Sequence, residues 1–441
     1  MSPPVRPVVV SERVPEKVDV VVVGGGIVGV SAAWFLTKQG LKVALCEKGV
    51  VAGEQSSRNW GFCRQQGRDP RELPLAIEAL RIWRNLDAEI EERTGFTQTG
   101  IMYIAGTKDE LAKYEAWIEH AQLYQLDTRL LSPEEIKEVL PDLRTEYLGA
   151  LWTPSDGRAE PSEAAPAIAT AAIRHGAAVL TGCAVRGLET SGGRVSAVVT
   201  ERGTIQCGAV LLAGGAWSSL LLKRHGINFP QLKVRSSVMR TTAGPEVTRA
   251  GIWSPDFGIR RRSDGKYTLS RGGPSTVHLV PDTFRWMGKF WNAFRVEREK
   301  LKFTVDGAFF HELFQDTQWA LDAKSPFEKT RILDPTPDHK LLDRALVELK
   351  EAFPTLRDLE TEERWAGMVD VTPDALPCIA PIEQMPGLYL ASGFSGHGFG
   401  IGPGAGRLAA EMVAGTPTCV DLAPFRYTRF FDGTNLSPDS L

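Results

Sequence analysis

Cysteine is scarce in this chain, and what there is lies scattered. Six stand among 441 residues, Cys46, Cys63, Cys183, Cys207, Cys378 and Cys419, with no CxxC pair. That spacing argues against a zinc site and a disulfide framework and suits a reducing cytoplasm, the compartment expected here. Long apolar runs are also missing, so no membrane span is predicted: none reaches the ~18 residues of a spanning helix. A net charge of −3 gives no reason to expect nucleic acid as a partner. Residues 1–17 are polar and proline-bearing, without a basic start and apolar core, so no signal peptide is predicted. What is left is an ordinary globular balance, 43% hydrophobic and 24% charged, in a chain long enough for two domains.

Glycine is plentiful and patterned. Residues 18–48 read as strand, glycine turn, helix, strand and acid. Val20 to Val23 form a short apolar run fit for a buried parallel strand. Gly24, Gly26 and Gly29 match GxGxxG: the first for a tight turn, the second for close approach of a pyrophosphate, the third for helix–strand packing. A helix from Ile27 through Val28 directs its N-terminus at that pyrophosphate. A second apolar strand delivers Glu47, next to Lys48, to a ribose hydroxyl pair. This segment fits NAD or FAD equally.

Beyond it, Ser56, Ser57, Arg58 and Asn59 read as a loop entering a short helix, with hydroxyls, N–H groups and a guanidinium for phosphate oxygens. Helices are expected over residues 75–94, 109–125, 132–140 (with a Ser132/Glu135 capping box) and 161–175. A strand meander then leads to an apolar strand ending in Ala213 and Gly214, before Trp217. Antiparallel strands are expected over 232–242, 258–262 and 266–271. Residues 282–300 and the stretch to about 321 read as helical. Their aromatics, Phe284, Trp286, Phe290, Trp291, Phe294, Phe309, Phe310 and Trp319, are assigned mainly to a core. The remainder goes to a subunit contact in a homo-oligomer or a cover over substrate. Residues 393–406 hold seven glycines and feed another helix. An NAD enzyme has no use for a second glycine cradle. A flavin enzyme does, because a helix N-terminus stabilises negative charge on the reduced ring. FAD is the expected cofactor.

These motifs, GGGIVG with Glu47, SSRN at 56–59, VLLAGGAWS at 210–218, VTPDALP at 371–377 and GFSGHGFGIGPG at 393–404, resemble the D-amino-acid oxidase-like family, in its glycine oxidase and sarcosine oxidase branch. The resemblance covers residues 18–415. It implies an α/β fold: a Rossmann-type FAD-binding domain with an interleaved α+β substrate domain built on an antiparallel sheet. The expected boundaries are 18–95, 150–225 and 360–420 for the first, and 96–149 and 226–359 for the second, with 1–17 and 421–441 as extensions. The implied cofactor contacts are Gly24, Gly26, Ile27, Val28, Gly29, Glu47, Lys48, Ser56, Ser57, Arg58, Asn59, Val185, Ala213, Gly214, Trp217, Gly393, Ser395, Gly396, His397, Gly398, Phe399 and Gly400.

Two departures stand out. The cysteine that links FAD in monomeric sarcosine oxidases is matched by Gly367, so non-covalent FAD is expected. The family's carboxylate-binding lysine and arginine are matched by Gly400 and by Asp370 and Val371. Replacement anchors are sought among Arg58, Arg64, Arg260, Arg261, Arg262, Arg271 and Arg364, because a guanidinium fork matches a planar carboxylate. Arg64 leads, since it follows the flavin-binding loop; Arg260, Arg262 and Arg271 lie on strands expected to roof the flavin. His397 either buttresses its turn or faces the flavin, and Lys266 is a candidate for oxygen activation. The expected activity is oxidation of a glycine-like secondary amine, iminodiacetate before sarcosine, to an imine that hydrolyses while dioxygen becomes hydrogen peroxide. The alternative is an FAD-dependent amino-acid or 2-hydroxy-acid dehydrogenase that passes electrons to quinone or a carrier, with the aromatic insert touching a membrane. A non-catalytic flavin-binding protein is the third reading.

Overall fold

The computed structural model describes residues 3–271, 275–298, 301–439 and 441. Two sheets organise it. The first has six strands in the order Cys378–Pro381, Leu388–Ser392, Ala209–Leu212, Val20–Val23, Val43–Cys46, Ala178–Leu180. All neighbours are parallel except the first pair. Both faces are covered, which is why the strands carry unbroken apolar runs. Val20 and Val22 enter one core with helices Ile27–Lys38, Leu73–Ile90 and Pro161–Arg174, whereas Val21 enters another with the meander Val185–Ser191, Arg194–Thr200, Gly203–Gln206.

The second sheet has ten strands, and its spine is Leu232–Ala243. That strand pairs antiparallel with Thr361–Val371 on one side and with Lys266–Ser270 and Ser275–His278 on the other. Helix His339–Ala352 covers its outer face, where Leu342, Ala345 and Leu349 meet Ile259, Tyr267 and Leu269. Alternate side chains in a strand point to opposite faces, so Arg260 turns inward, toward the cleft between the sheets. Gly149–Thr153 and Thr361–Val371, placed by the expected boundaries with the nucleotide-binding part, are strands of this larger sheet.

Most expected helices and strands occur within two or three residues of their predicted ends, including the Ser132/Glu135 capping box and the turn between residues 261 and 266. Two readings change. Residues 282–321 are not two long helices: Pro281–Trp286, Trp291–Glu297 and Gly307–Leu313 are short, and Leu301–Thr304 is a strand pairing parallel with Ser275–His278. Nor do they bury most of their aromatics. Trp286 and Trp319 are buried, but Phe284, Trp291, Phe294 and Phe310 are exposed, as are Met287, Phe303, Leu313 and Phe314. The second change is that the glycine-rich stretch from Gly398 is helical throughout, as Gly398–Ala414. Its glycines face neighbouring helices. A Cβ on Gly402 would lie 2.7 Å from Ile27, and one on Gly406 2.4 Å from Ser31. Without side chains there, two helices approach more closely than any larger residue permits.

Candidate active site

The glycines of residues 24–29 do what GxGxxG requires. Gly24 has φ +111°, and a Cβ on it would overlap the Ala213 carbonyl at 2.4 Å. A Cβ on Gly29 would fall 2.0 Å from the Gly24 carbonyl oxygen. Gly26 differs: a Cβ there meets only the Ser56 hydroxyl, at 3.1 Å, so its missing side chain leaves room for a ligand and not for protein. The Ile27 N–H donates to that hydroxyl at 2.8 Å. Glu47 accepts from the N–H groups of Gly25 and Gly49, both at 2.7 Å. Burial raises its carboxyl above the usual range, against those two N–H groups.

From this cradle a cleft with about 1260 Å³ of empty space, open mouth included, runs to Phe399 at the glycine-rich helix. Fifteen of the expected contacts line it: Gly24, Gly26, Ile27, Val28, Glu47, Lys48, Ser56, Asn59, Val185, Ala213, Gly214, Trp217, Gly396, Gly398 and Phe399. The other seven stand behind it. Gly29 packs helix on strand, and Gly400 presses on the Phe62 carbonyl. The Ser57 hydroxyl turns back to the Glu54 carbonyl at 3.2 Å. Gly393 and Ser395 hold the turn through Asp370 and Thr372. His397 faces Glu72. Arg58 is a correction: instead of reaching a phosphate, its buried guanidinium donates to the carbonyls of Leu333, Ala366 and Gly53 and lies 3.5 Å from Asp334. It ties the loop to the strand at 361–371.

Sequence reading missed several lining groups. Asp370 joins the two sheets: its Oδ2 accepts from the Gly393 N–H at 2.7 Å and from Gln231 Nε2 at 3.2 Å, and burial raises its carboxyl. Glu54 binds Lys48 at 2.6 Å and the Trp217 indole N–H at 3.0 Å. Gln55, which lines the cleft, has its Oε1 buried without a hydrogen-bond partner among the described residues. At Gly367 a Cβ would fall 1.6 Å from that oxygen, so any larger residue there would have to displace the Gln55 side chain.

The proposed carboxylate anchors divide sharply. Arg260, 1% exposed, donates to Glu160 through both terminal nitrogens at 2.9 and 3.0 Å and to the Trp60 carbonyl. Arg262 lies 4.0 Å from Glu160 and 3.4 Å from Asp264. Arg271 shares the parity of Leu269 and reaches Glu348 of the outer helix at 2.7 Å, away from the cleft. Lys266, the oxygen-activation candidate, pairs with Glu362 at 2.6 Å on the exposed rim. Arg364 and Arg261 pair with Asp343 and Glu246. Arg64 alone in this group lacks a carboxylate partner among the described residues. Its guanidinium donates to the Gln66 carbonyl and sits 5.0 Å above the Tyr103 ring. Tyr103 continues into an aromatic wall, with Trp253 at 6.5 Å and Trp60 stacked on Trp253 at 4.6 Å. Among the described residues there is no group of His, Cys, Asp and Glu that suits a metal.

A Rossmann cradle joined by a long cleft to a second glycine helix defines an FAD-binding oxidoreductase. The chain belongs to the DAO family of FAD dependent oxidoreductases, whose family model matches residues 19–412. It is similar to the sarcosine oxidase subunit beta of Arthrobacter sp, at 28% identity over 94% of this chain and 91% of that protein. Among solved structures, the L-amino acid deaminase from Proteus myxofaciens in complex with anthranilate is 32% identical, with TM-score 0.93 over 98% of both chains. Iminodiacetate oxidase from Chelativorans sp. BNC1, at 20% identity and TM-score 0.70 over 92% and 98%, shares the fold. The protein is therefore an FAD enzyme that oxidises amines or amino acids. Among the described residues no helix is long and apolar enough to cross a membrane.

Proposed function

We propose that the chain oxidises the Cα–N bond of an amino acid with one carboxylate and a large apolar side chain. The imine would hydrolyse to a 2-oxo acid and ammonia. The observation that carries this reading is the pairing of the arginines. With Arg260, Arg262 and Arg271 held by Glu160 and Glu348, Arg64 is the one of the seven candidate arginines without a carboxylate partner among the described residues. A bidentate Arg–carboxylate pair in a desolvated site both orients and binds. The Trp60–Trp253–Tyr103 wall beside Arg64 offers apolar contact and excludes water. Iminodiacetate, with two carboxylates, finds one anchor, and it and sarcosine rank second. FAD supplies the acceptor of the Cα hydrogen with its electron pair.

The surface bears on the choice of electron acceptor. Phe284, Met287, Trp291, Phe294, Phe310, Leu313 and Phe314 are exposed in one insert, with Arg285, Arg295 and Lys302 beside them. Soluble monomers rarely expose so many large apolar side chains together, and basic residues among them suit an anionic lipid surface. Lys266, meanwhile, is engaged with Glu362 on the rim of the larger sheet. These observations support a quinone dissolved in a bilayer as acceptor, over dioxygen.

The test is anaerobic bleaching of the FAD absorbance by L- and D-phenylalanine, leucine, sarcosine and iminodiacetate. Reoxidation by air or by a short-chain quinone is then timed. Rapid bleaching by an apolar amino acid and reoxidation by the quinone are expected. Bleaching by iminodiacetate alone would overturn the substrate reading and restore the secondary-amine oxidase, and stoichiometric peroxide in air would overturn the quinone reading.

A further inference from the structure

Behind the first turn of the glycine-rich helix lies a charge cluster that cofactor contact leaves unexplained. Glu72 is fully buried, and neither carboxylate oxygen makes a hydrogen bond of good geometry among the described residues. Its Oε2 lies 3.2 Å from His397 Nδ1 and 3.7 Å from Arg68 Nη1, and the Arg68 side chain is buried too. Burying a carboxylate this completely demands compensating charge. Arg68 supplies one positive charge. His397 is the variable partner, because it gains or loses one near neutral pH. Its chain neighbours Gly396 and Gly398 line the cleft, while its own ring turns to Glu72 on the other side of that backbone turn.

We propose that His397 and Glu72 form a redox-linked proton site. His397 is neutral while the bound FAD is oxidised and takes one proton from solvent when the FAD accepts two electrons, with Glu72 as counter-ion. This rests on FAD in the cleft, not on the identity of the amine. The charged groups bearing on the ring are Glu72, at the N-cap of helix Leu73–Ile90, and Arg68 and Arg64 from the loop between strand Phe62–Cys63 and that helix. Burial, Arg68 and Arg64 lower its pKa, and Glu72 opposes them. The neutral ring proposed for the oxidised state carries its proton on Nδ1, the nitrogen that faces Glu72. Negative charge arriving across one turn of backbone favours the imidazolium, and the new proton adds at Nε2. Two electrons and one proton enter the cofactor ring; one further proton enters the protein.

Potentiometric titration of the FAD-loaded protein from pH 6 to 9, without substrate, tests this. Each proton taken up with two electrons changes the equilibrium tenfold per pH unit, which is ~30 mV. Wild type should show a slope near 60 mV per pH unit (~30 mV for each of two protons) in the range where the reduced FAD keeps its anionic spectrum. His397→Asn should halve it. Glu72→Gln should move the change from the steep to the shallow slope to lower pH, because a neutral amide no longer favours the imidazolium. A shallow wild-type slope throughout, or an unaltered slope in His397→Asn, overturns the proposal. If neither variant retains FAD, the wild-type slope decides alone. Failure of the wild type to bind FAD would instead overturn the cofactor assignment.

Discussion

Glu160→Gln tests why two of the candidate arginines, Arg260 and Arg262, are withheld from substrate. Glu160 stands just before helix Pro161–Arg174 and meets Arg260 at 2.9 and 3.0 Å, Arg158 at 3.0 Å, Arg262 at 4.0 Å and the Ser263 N–H at 2.9 Å. Burial alone would raise its carboxyl; Arg260, Arg262 and the Ser263 N–H outweigh burial and hold it at about 2, against an ordinary 4.5. At 1.36 kcal/mol per unit, that difference is worth about 3 kcal/mol of folding stability. The folded pKa lies below the unfolded one, so this stability is complete above pH 4.5 and is lost as the pH falls toward 2. The glutamine variant should therefore lose about 3 kcal/mol at pH 7, in line with breaking a buried pair, and should have a flatter acid limb. Urea unfolding at pH 7 and pH 4, followed by far-UV circular dichroism, reads both effects. A loss below about 1 kcal/mol at pH 7 would refute the reasoning, since a broken buried pair costs several times that. So would an Arg260→Met variant that keeps its stability but raises KM, because Arg260 would then be a substrate anchor.

Gly26→Val should fold normally yet elute without FAD, because its Cβ meets only the Ser56 hydroxyl; a fully yellow variant refutes the cradle. Gly29→Ala should instead fail to fold stably, since its Cβ would sit 2.0 Å from a carbonyl oxygen; a wild-type melting temperature contradicts this. Arg64→Met should raise KM for a monocarboxylate by roughly 30-fold or more, the value of a charge-assisted pair at ~2 kcal/mol, with FAD content unchanged; steady-state kinetics decide. Asp156 is pushed by burial up to about 7, above its unfolded value, so it favours folding at low pH and that contribution fades as pH rises through 7. Asp156→Asn should accordingly lessen the fall in melting temperature between pH 5 and 8. Replacing Trp291, Phe310 and Phe314 by serine should abolish co-sedimentation with anionic vesicles and leave anaerobic FAD bleaching intact.

What could be read from sequence was local. The cradle is legible because strand, glycine turn, helix and acid fall within about thirty residues, and each position has one steric reason. The turn between 261 and 266 and the Ser132 cap are legible on the same terms. Partners of the arginines are not: Glu160 is a hundred residues before Arg260, and Glu348 lies 77 beyond Arg271. Strand periodicity correctly put Arg260 and Arg262 on one face. It could not say that a buried glutamate already waited there, or that the outer helix covers the face Arg271 shares with Leu269. Glu72 was invisible for the same reason. A lone acid at a helix start reads as solvated until the fold closes His397 over it.

The glycines at 398–406 show how a correct inference can rest on a misread element. Many glycines in succession suggest a loop, because each costs a helix up to ~1 kcal/mol relative to alanine. Here the chain is helical, and the cost is offset by packing. Gly402 and Gly406 receive Ile27 and Ser31 of the first helix, and Gly404 receives Ala79 of another. Close packing aligns the N-terminal turn with the cleft: Gly398 and Phe399 line it, and the Gly400 carbonyl is pinned by the Trp83 indole N–H at 2.7 Å. A flexible loop could not hold a positive helix end in a fixed place. A helix locked against the very helix that begins at the dinucleotide cradle can, so both ends of the cleft are referred to one pair of packed helices. Enlarging Gly402 to leucine should therefore weaken FAD retention at a position that does not line the cleft. Full retention in that variant would mean that the two ends are positioned independently.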